Sequence, residues 1–211
     1  MILTYPLNRR WSYKGYDFGQ CCVNDTNKLV YVNIPKNATN WMHNIVYSMD
    51  WRDSNVYNED LSKYHALVIL RNPIERWVSG VAEYIKLYHK NIEKLDDSMW
   101  QIISDIIAID DHTDKQVYFV NTLSTENVTF FQCNENLSNS VQQFFQAMNI
   151  DIKKRHLDPY YVTDKNSQNY KIIEQIKQKI SDDILVKRKL NKFFQEDIDL
   201  IKSVSFFNNN E

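Results

Sequence analysis

The stretch Leu67-Val68-Ile69-Leu70-Arg71-Asn72-Pro73-Ile74-Glu75-Arg76-Trp77-Val78-Ser79 decides how this chain is read. An apolar run ends in an arginine. Asn72 then offers a helix cap, and Pro73 sits where a first helical residue belongs. The pattern predicts a buried strand over 65–70 and a helix from 73 to about 89. Ser79 lies two turns into that helix. An arginine on a strand tip and a serine on the adjoining helix can converge on one phosphate. Upstream, Leu29-Val30-Tyr31-Val32-Asn33-Ile34-Pro35-Lys36-Asn37-Ala38-Thr39-Asn40-Trp41-Met42 reads as a second strand, loop and helix. Two anion-holding turns suggest a ligand with two separated phosphate-like groups.

Working outward, residues 1–28 form a polar and aromatic lead-in with a short strand or turn. A strand is expected over 29–33, a helix over 39–49, a polar loop over 50–63 and a helix over 99–109. Segment 116–121 can continue as helix, 128–132 is a β-rich run, and 137–148 is a helix with Val141, Phe144 and Phe145 inward. Further helices are expected over 169–180 and 183–204, and 205–211 is a frayed tail. Strands alternating with helices predict an α/β fold: a central parallel sheet flanked by helices in a three-layer, P-loop-like sandwich. Right-handed crossovers would bring both loops to one carboxyl edge of that sheet.

Composition narrows the function classes. The 211 residues are 43% hydrophobic and 25% charged, with a net charge of −2, as in an ordinary soluble domain and unlike a general nucleic-acid binder. We expect one domain over 1–211. Cys21, Cys22 and Cys133 make an odd count without metal-ligand spacing, which implies free thiols and a reducing compartment. No apolar run approaches the roughly 18–20 residues that span a bilayer, and residues 1–5 do not make a signal peptide. A cytoplasmic location without membrane insertion is expected.

The first loop has the physical logic of an anion site. Lys36 supplies a mobile charge, Thr39 and Asn40 supply side-chain donors, and a helix beginning near Thr39 aims free backbone N–H groups at the loop. The Walker pattern is absent, as is a Mg-binding aspartate at the end of a following strand.

Taken together, the two loops resemble those of PAPS-dependent sulfotransferases, PAPS being 3′-phosphoadenosine 5′-phosphosulfate. Pro35-Lys36-Asn37-Ala38-Thr39-Asn40-Trp41 looks like their 5′-phosphosulfate loop, and Arg71-Asn72-Pro73 through Arg76 and Ser79 resembles their 3′-phosphate motif. The resemblance is closer to the carbohydrate branch, including the heparan 2-O type. His112-Thr113-Asp114-Lys115-Gln116 echoes its H-x-x-x-Q segment, and Phe194 to Leu200 is similar to its closing helix. The resemblance implies that Lys36 contacts the 5′-phosphosulfate near the bridging oxygen. Backbone N–H groups of Asn37, Ala38, Thr39, Asn40 and Trp41, with the Thr39 hydroxyl, would hold the 5′-phosphate. Arg71 and Ser79 would bind the 3′-phosphate. Asn40 replaces the usual second hydroxyl, and Trp41 is bulky for its position.

The activity implied is in-line transfer of a sulfuryl group to a hydroxyl of a glycan or small metabolite, with PAP as product and no metal. The acceptor must lose a proton. His112 is the first candidate base, with Asp53 and Glu83 behind it. Arg76 is expected to be structural. The basic stretch 153–165, with Thr163 and Lys165, and the pair Tyr160-Tyr161 are secondary candidates for anion or substrate contact. The rival readings are a small-metabolite kinase, which would need Mg²⁺, and a non-catalytic nucleotide-binding protein, which would bind PAP without turnover.

Overall fold

The computed structural model of the chain describes residues 18–89, 94–152 and 167–207. The basic stretch from 153, Tyr160-Tyr161, Thr163 and Lys165 lie outside the described residues, as do 1–17 and 208–211. The chain divides into two compact units, one of 18–71, 116–161 and 200–211, the other of 1–17, 72–115 and 162–199.

The first unit is built on a five-stranded sheet. Its strands are β1 (Gln20–Asn24), β2 (Leu29–Val32), β3 (Arg52–Asn55), β4 (His65–Leu70) and β5 (Val128–Gln132), in the order β3-β1-β2-β4-β5. The pairs β2–β4 and β4–β5 are parallel, while β1 runs antiparallel to both β2 and β3. The sheet is therefore mixed, which corrects the expected parallel one. The reason is local: β1 and β2 are joined by a tight turn ending at Lys28 (φ 54°), and so short a connection admits only an antiparallel hairpin. Part of the lead-in, Gln20–Asn24, is thus a paired strand. β3 lies inside the segment expected to be a polar loop. Its sequence, Arg-Asp-Ser-Asn, has no apolar alternation to reveal it. Cross-links hold it instead, Arg52 donating to Asp25 at 2.7 Å and to Glu59 at 2.6 Å.

Alternation along the strands sorts side chains to two faces. Leu29, Tyr31, Leu67, Ile69 and Phe131 bury against helices α1 (Thr39–Tyr47) and α5 (Leu137–Ala147). Val32, Val68 and Leu70 face Phe119 of the short α4 (Val117–Val120), with Leu200, Ile201 and Val204 packed alongside. β4 is covered on both faces, which is why it reads as an unbroken apolar run. The outer edge of β5 is also covered. Phe206 bridges Phe130, and the Phe207 N–H donates to the Phe130 carbonyl at 2.9 Å, so the first part of the expected frayed tail is paired to the sheet.

The second unit is helical: α2 (Pro73–Tyr88), α3 (Asp97–Ile106), α6 (Gln168–Asp182), α7 (Ile184–Phe193) and the start of α8 (Gln195–Ser203). Trp77, Val81 and Ile85 of α2 meet Trp100 and Ile103 of α3, Ile172 and Ile176 of α6, and Leu190 of α7. The Asn72 carboxamide caps α2, accepting from the N–H groups of Ile74 and Glu75 at 3.0 and 3.1 Å. The single helix expected over 183–204 is two, broken at Phe194, whose ring enters the core. Gly80 lets α2 approach the 110–114 turn: a Cβ there would collide with the His112 carbonyl.

Arg76 is fully buried in this unit and bonds to two backbone carbonyls, those of Asp111 (2.6 Å) and Asp114. Burial pulls its guanidinium down to about 10, against the opposing charges of Asp197 and the 110–114 aspartates, so it stays a cation at neutral pH. The role is structural, as expected. Cys21, Cys22 and Cys133 form no disulfide. No helix among the described residues is long and apolar enough to cross a membrane.

Arg76→Ala removes the cation beside the buried Asp197 and two carbonyl partners, so it is expected to cost about 3–5 kcal/mol. Urea denaturation followed by tryptophan fluorescence checks this; a loss below about 1 kcal/mol, the scale of a single ordinary hydrogen bond, would contradict the structural role.

Candidate functional site

The candidate residues of the sheet unit gather where β2 and β4 end. The two strands are parallel neighbours with Tyr31 opposite Leu67, so the loop after β2 and Arg71 after β4 emerge at one edge. Sequence dictates the loop's shape. Pro35 fixes the first corner of a turn closed by the Asn37 N–H donating to the Ile34 carbonyl at 3.2 Å. Lys36 takes the next corner with φ 69°, a place usually given to glycine in a type II turn. Ala38 is also left-handed, at φ 58°. Each such non-glycine residue costs about 1–2 kcal/mol. The strain sits in the loop that enters α1.

α1 begins without a side-chain cap, because Ala38 occupies the cap position. The Ala38 carbonyl accepts from the Met42 N–H at 3.0 Å, while the N–H groups of Ala38, Thr39 and Asn40 have no hydrogen-bond acceptor among the described residues. Those three donors at the positive end of a helix can hold an anion. Two other loop donors bond within the loop. The Asn37 N–H closes the turn, and the Thr39 hydroxyl donates to the Ile34 carbonyl at 2.7 Å. The Trp41 indole is buried in the core beside Met42 and Ile45, so packing explains its bulk.

Arg71 is tied to this loop. Its Nη1 donates to the Lys36 carbonyl at 3.1 Å. Its backbone is held by Gln116, whose Oε1 accepts from the Arg71 N–H at 3.0 Å and whose Nε2 donates to the Arg71 carbonyl at 2.9 Å. Gln116 Oε1 also accepts from Asn37 Nδ2 at 2.6 Å, and the same nitrogen donates to the Ile69 carbonyl at 2.7 Å. Both amide side chains are fully buried. From sequence alone Asn37 has only a backbone role and Gln116 none beyond an echo. The spacing from His112 to Gln116 was the available signal.

Asp53 lies elsewhere in this unit. It accepts from the Tyr47 hydroxyl at 2.5 Å, at the last residue of α1. At 1.5 Å per residue that is ~12 Å along the helix from Thr39.

Ser79 and His112 belong to the helical unit. Ser79 is half-buried on α2, and Glu83 follows it one turn later, its ion pair with Lys86 long at 3.7 Å. The His112 Nδ1 lies 2.9 Å from Asp111 Oδ1 and 3.4 Å from Asp110 Oδ2. Burial alone would lower the proton affinity of this ring. Hydrogen bonding and charge from the two carboxylates outweigh it and push the group up to about 9. With its proton affinity so raised the ring carries a proton at neutral pH, the form that donates rather than accepts. Asp110, Asp111 and His112 also bring potential metal-ligand atoms within 4.8 Å of one another. A cation there would have to compete with the proton that His112 carries.

Compared with protein-family models, with curated proteins and with solved structures, the chain finds no significant match.

The raised His112 value has a stability consequence. Its folded value lies above the ordinary 6.5, so its contribution is fully present below pH 6.5 and is lost as pH rises through about 9. Thermal denaturation from pH 6 to 10 is expected to show this fall, and His112→Asn to flatten it. An NMR titration that finds the His112 ring deprotonating near 6.5 would contradict the arrangement.

Proposed function

We propose that this chain is a PAPS-dependent sulfotransferase on a P-loop-like fold, acting on a hydroxyl of a glycan or small metabolite. The observation that carries the reading is the joining of two cationic elements at one sheet edge. Lys36 and the uncapped α1 terminus stand on one side, Arg71 on the other, and the Arg71 guanidinium bonds to the Lys36 carbonyl. A ligand with two separated anionic groups matches that pair better than a single phosphate does.

The donor set fits PAPS in part. The N–H groups of Ala38, Thr39 and Asn40, with Lys36, suit a 5′-phosphosulfate, and Arg71 suits a 3′-phosphate. The Thr39 hydroxyl would have to turn from the Ile34 carbonyl to join them. When bound, PAPS supplies an activated sulfuryl group. The chain's own work is electrostatic: Lys36 and the α1 N–H groups hold negative charge that grows on the leaving phosphate oxygen, and do so in place before reaction. Lys36 is thereby the catalytic cation. His112, held protonated, is not assigned the acceptor's proton. Glu83 is retained as the candidate base, because it lies one turn past Ser79 and is 22% exposed. The third contact that the resemblance implies, Ser79, is a separate substitution target. Walker residues and a metal aspartate are missing from the sequence, which disfavours the kinase reading.

Calorimetric titration with PAP, ATP and ADP, with and without Mg²⁺, tests the proposal. We expect metal-independent PAP binding, weakened about ten- to a hundredfold in Arg71→Ala, the scale of a lost charged hydrogen bond. Lys36→Ala is expected to reduce sulfuryl transfer about a hundred- to a thousandfold. Mg-dependent ATP binding without PAP binding would overturn the reading in favour of a kinase. PAP binding without turnover on any acceptor would favour a non-catalytic binder.

A further inference from the structure

Asn37 and Gln116 form a buried relay of amides with one self-consistent orientation. Arg71 offers the Gln116 carboxamide a backbone N–H and a backbone C=O. The oxygen must face the first and the NH₂ group the second, as observed at 3.0 and 2.9 Å. With its oxygen so placed, Gln116 can only accept from Asn37. The Asn37 NH₂ group therefore turns to it, at 2.6 Å, and to the Ile69 carbonyl, at 2.7 Å. Reversing either amide would set oxygen against oxygen.

Fold stability does not account for this relay. Asn37 Oδ1 is buried and has no hydrogen-bond partner among the described residues. A half-satisfied buried amide stabilises a core less well than an apolar side chain of similar size. What the relay does is fasten three pieces of backbone: the strained loop before α1, the end of β4, and the start of α4. Two of those pieces carry the cations of the site. With the Arg71–Lys36 bond, the relay closes a ring of contacts from the loop to the strand end and back.

We propose that Asn37 and Gln116 are positioning residues that fix Arg71 against the α1 terminus, and so make the site select ligands with two separated anionic groups over ligands with one. The choice of ligand rests on the proposed function; the relay does not.

The test uses the full chain, with PAP as the doubly phosphorylated probe and 5′-AMP as the singly phosphorylated one. Gln116→Met keeps length and volume but removes the bonds from Gln116 to Asn37 and to the Arg71 backbone. PAP affinity is expected to fall about tenfold or more, the scale of one or two lost hydrogen bonds, while 5′-AMP affinity changes less than about threefold. Should Gln116→Met fail to fold, Asn37→Ser provides the same comparison from the other end. A general structural effect would leave the ratio of the two affinities unchanged, and that result overturns the proposal.

Amide hydrogen exchange supplies a ligand-free arm. The Arg71 N–H is bonded by Gln116, not by Asn37. Asn37→Ser is nonetheless expected to speed exchange at Arg71 about tenfold, because Gln116 loses its anchor. Unchanged exchange there overturns the positioning claim even if PAP binds. Absence of PAP binding to the wild-type chain, with Arg71 exchange coupled to Asn37, overturns the sulfotransferase reading and the selectivity while leaving the relay in place.

Discussion

Parallel pairing of β2 with β4 is the constraint on which the site depends. Two parallel strands side by side end at the same edge, so whatever follows each of them is brought together. Here the followers are a lysine loop entering an uncapped helix and an arginine entering a capped one. Neither alone would hold two separated anionic groups. A lysine in a turn is ordinary, and an arginine at a strand tip is as often a structural group as a ligand. Their union through the Arg71–Lys36 bond turns two local motifs into one electrostatic surface.

The capping of the two helices differs in a way that chemistry explains. α2 begins with Asn72 accepting from two first-turn N–H groups, so its positive end is already satisfied. α1 begins with Ala38, which has nothing to offer, and with strained backbone on either side of Asn37. A chain selected for stability alone would place a serine or aspartate at the start of α1 and a glycine at Lys36. Strain and an absent cap together are reasonable where the missing partner is a ligand. His112 illustrates the opposite case. The carboxylates of Asp110 and Asp111 lie beside it and raise its proton affinity above the ordinary value.

Much of this was legible from residues alone. β4 is buried on both faces and reads as an apolar run, so the expected strand over 65–70 matches the observed one. Asn72-Pro73 marks the start of α2 without ambiguity. β3 was hidden because its four residues are polar and it pairs with β1, a long-range ladder that no local pattern encodes. The mixed sheet was hidden for a related reason: the direction of β1 is set by a short turn, while alternation says only which side chains are inside. Asn37 and Gln116 touch across 79 positions of sequence, so their relay is invisible until the sheet is assembled. The protonation of His112 depends on how Asp110 and Asp111 turn toward it.

A ¹⁵N-resolved NMR titration of the full chain with PAP tests the union of the two elements most directly. The account predicts that the Ala38, Thr39, Asn40 and Arg71 amides shift together along a single saturation curve, without Mg²⁺. Saturable binding that leaves those four amides unmoved, or that moves the α1 terminus without Arg71, would contradict it.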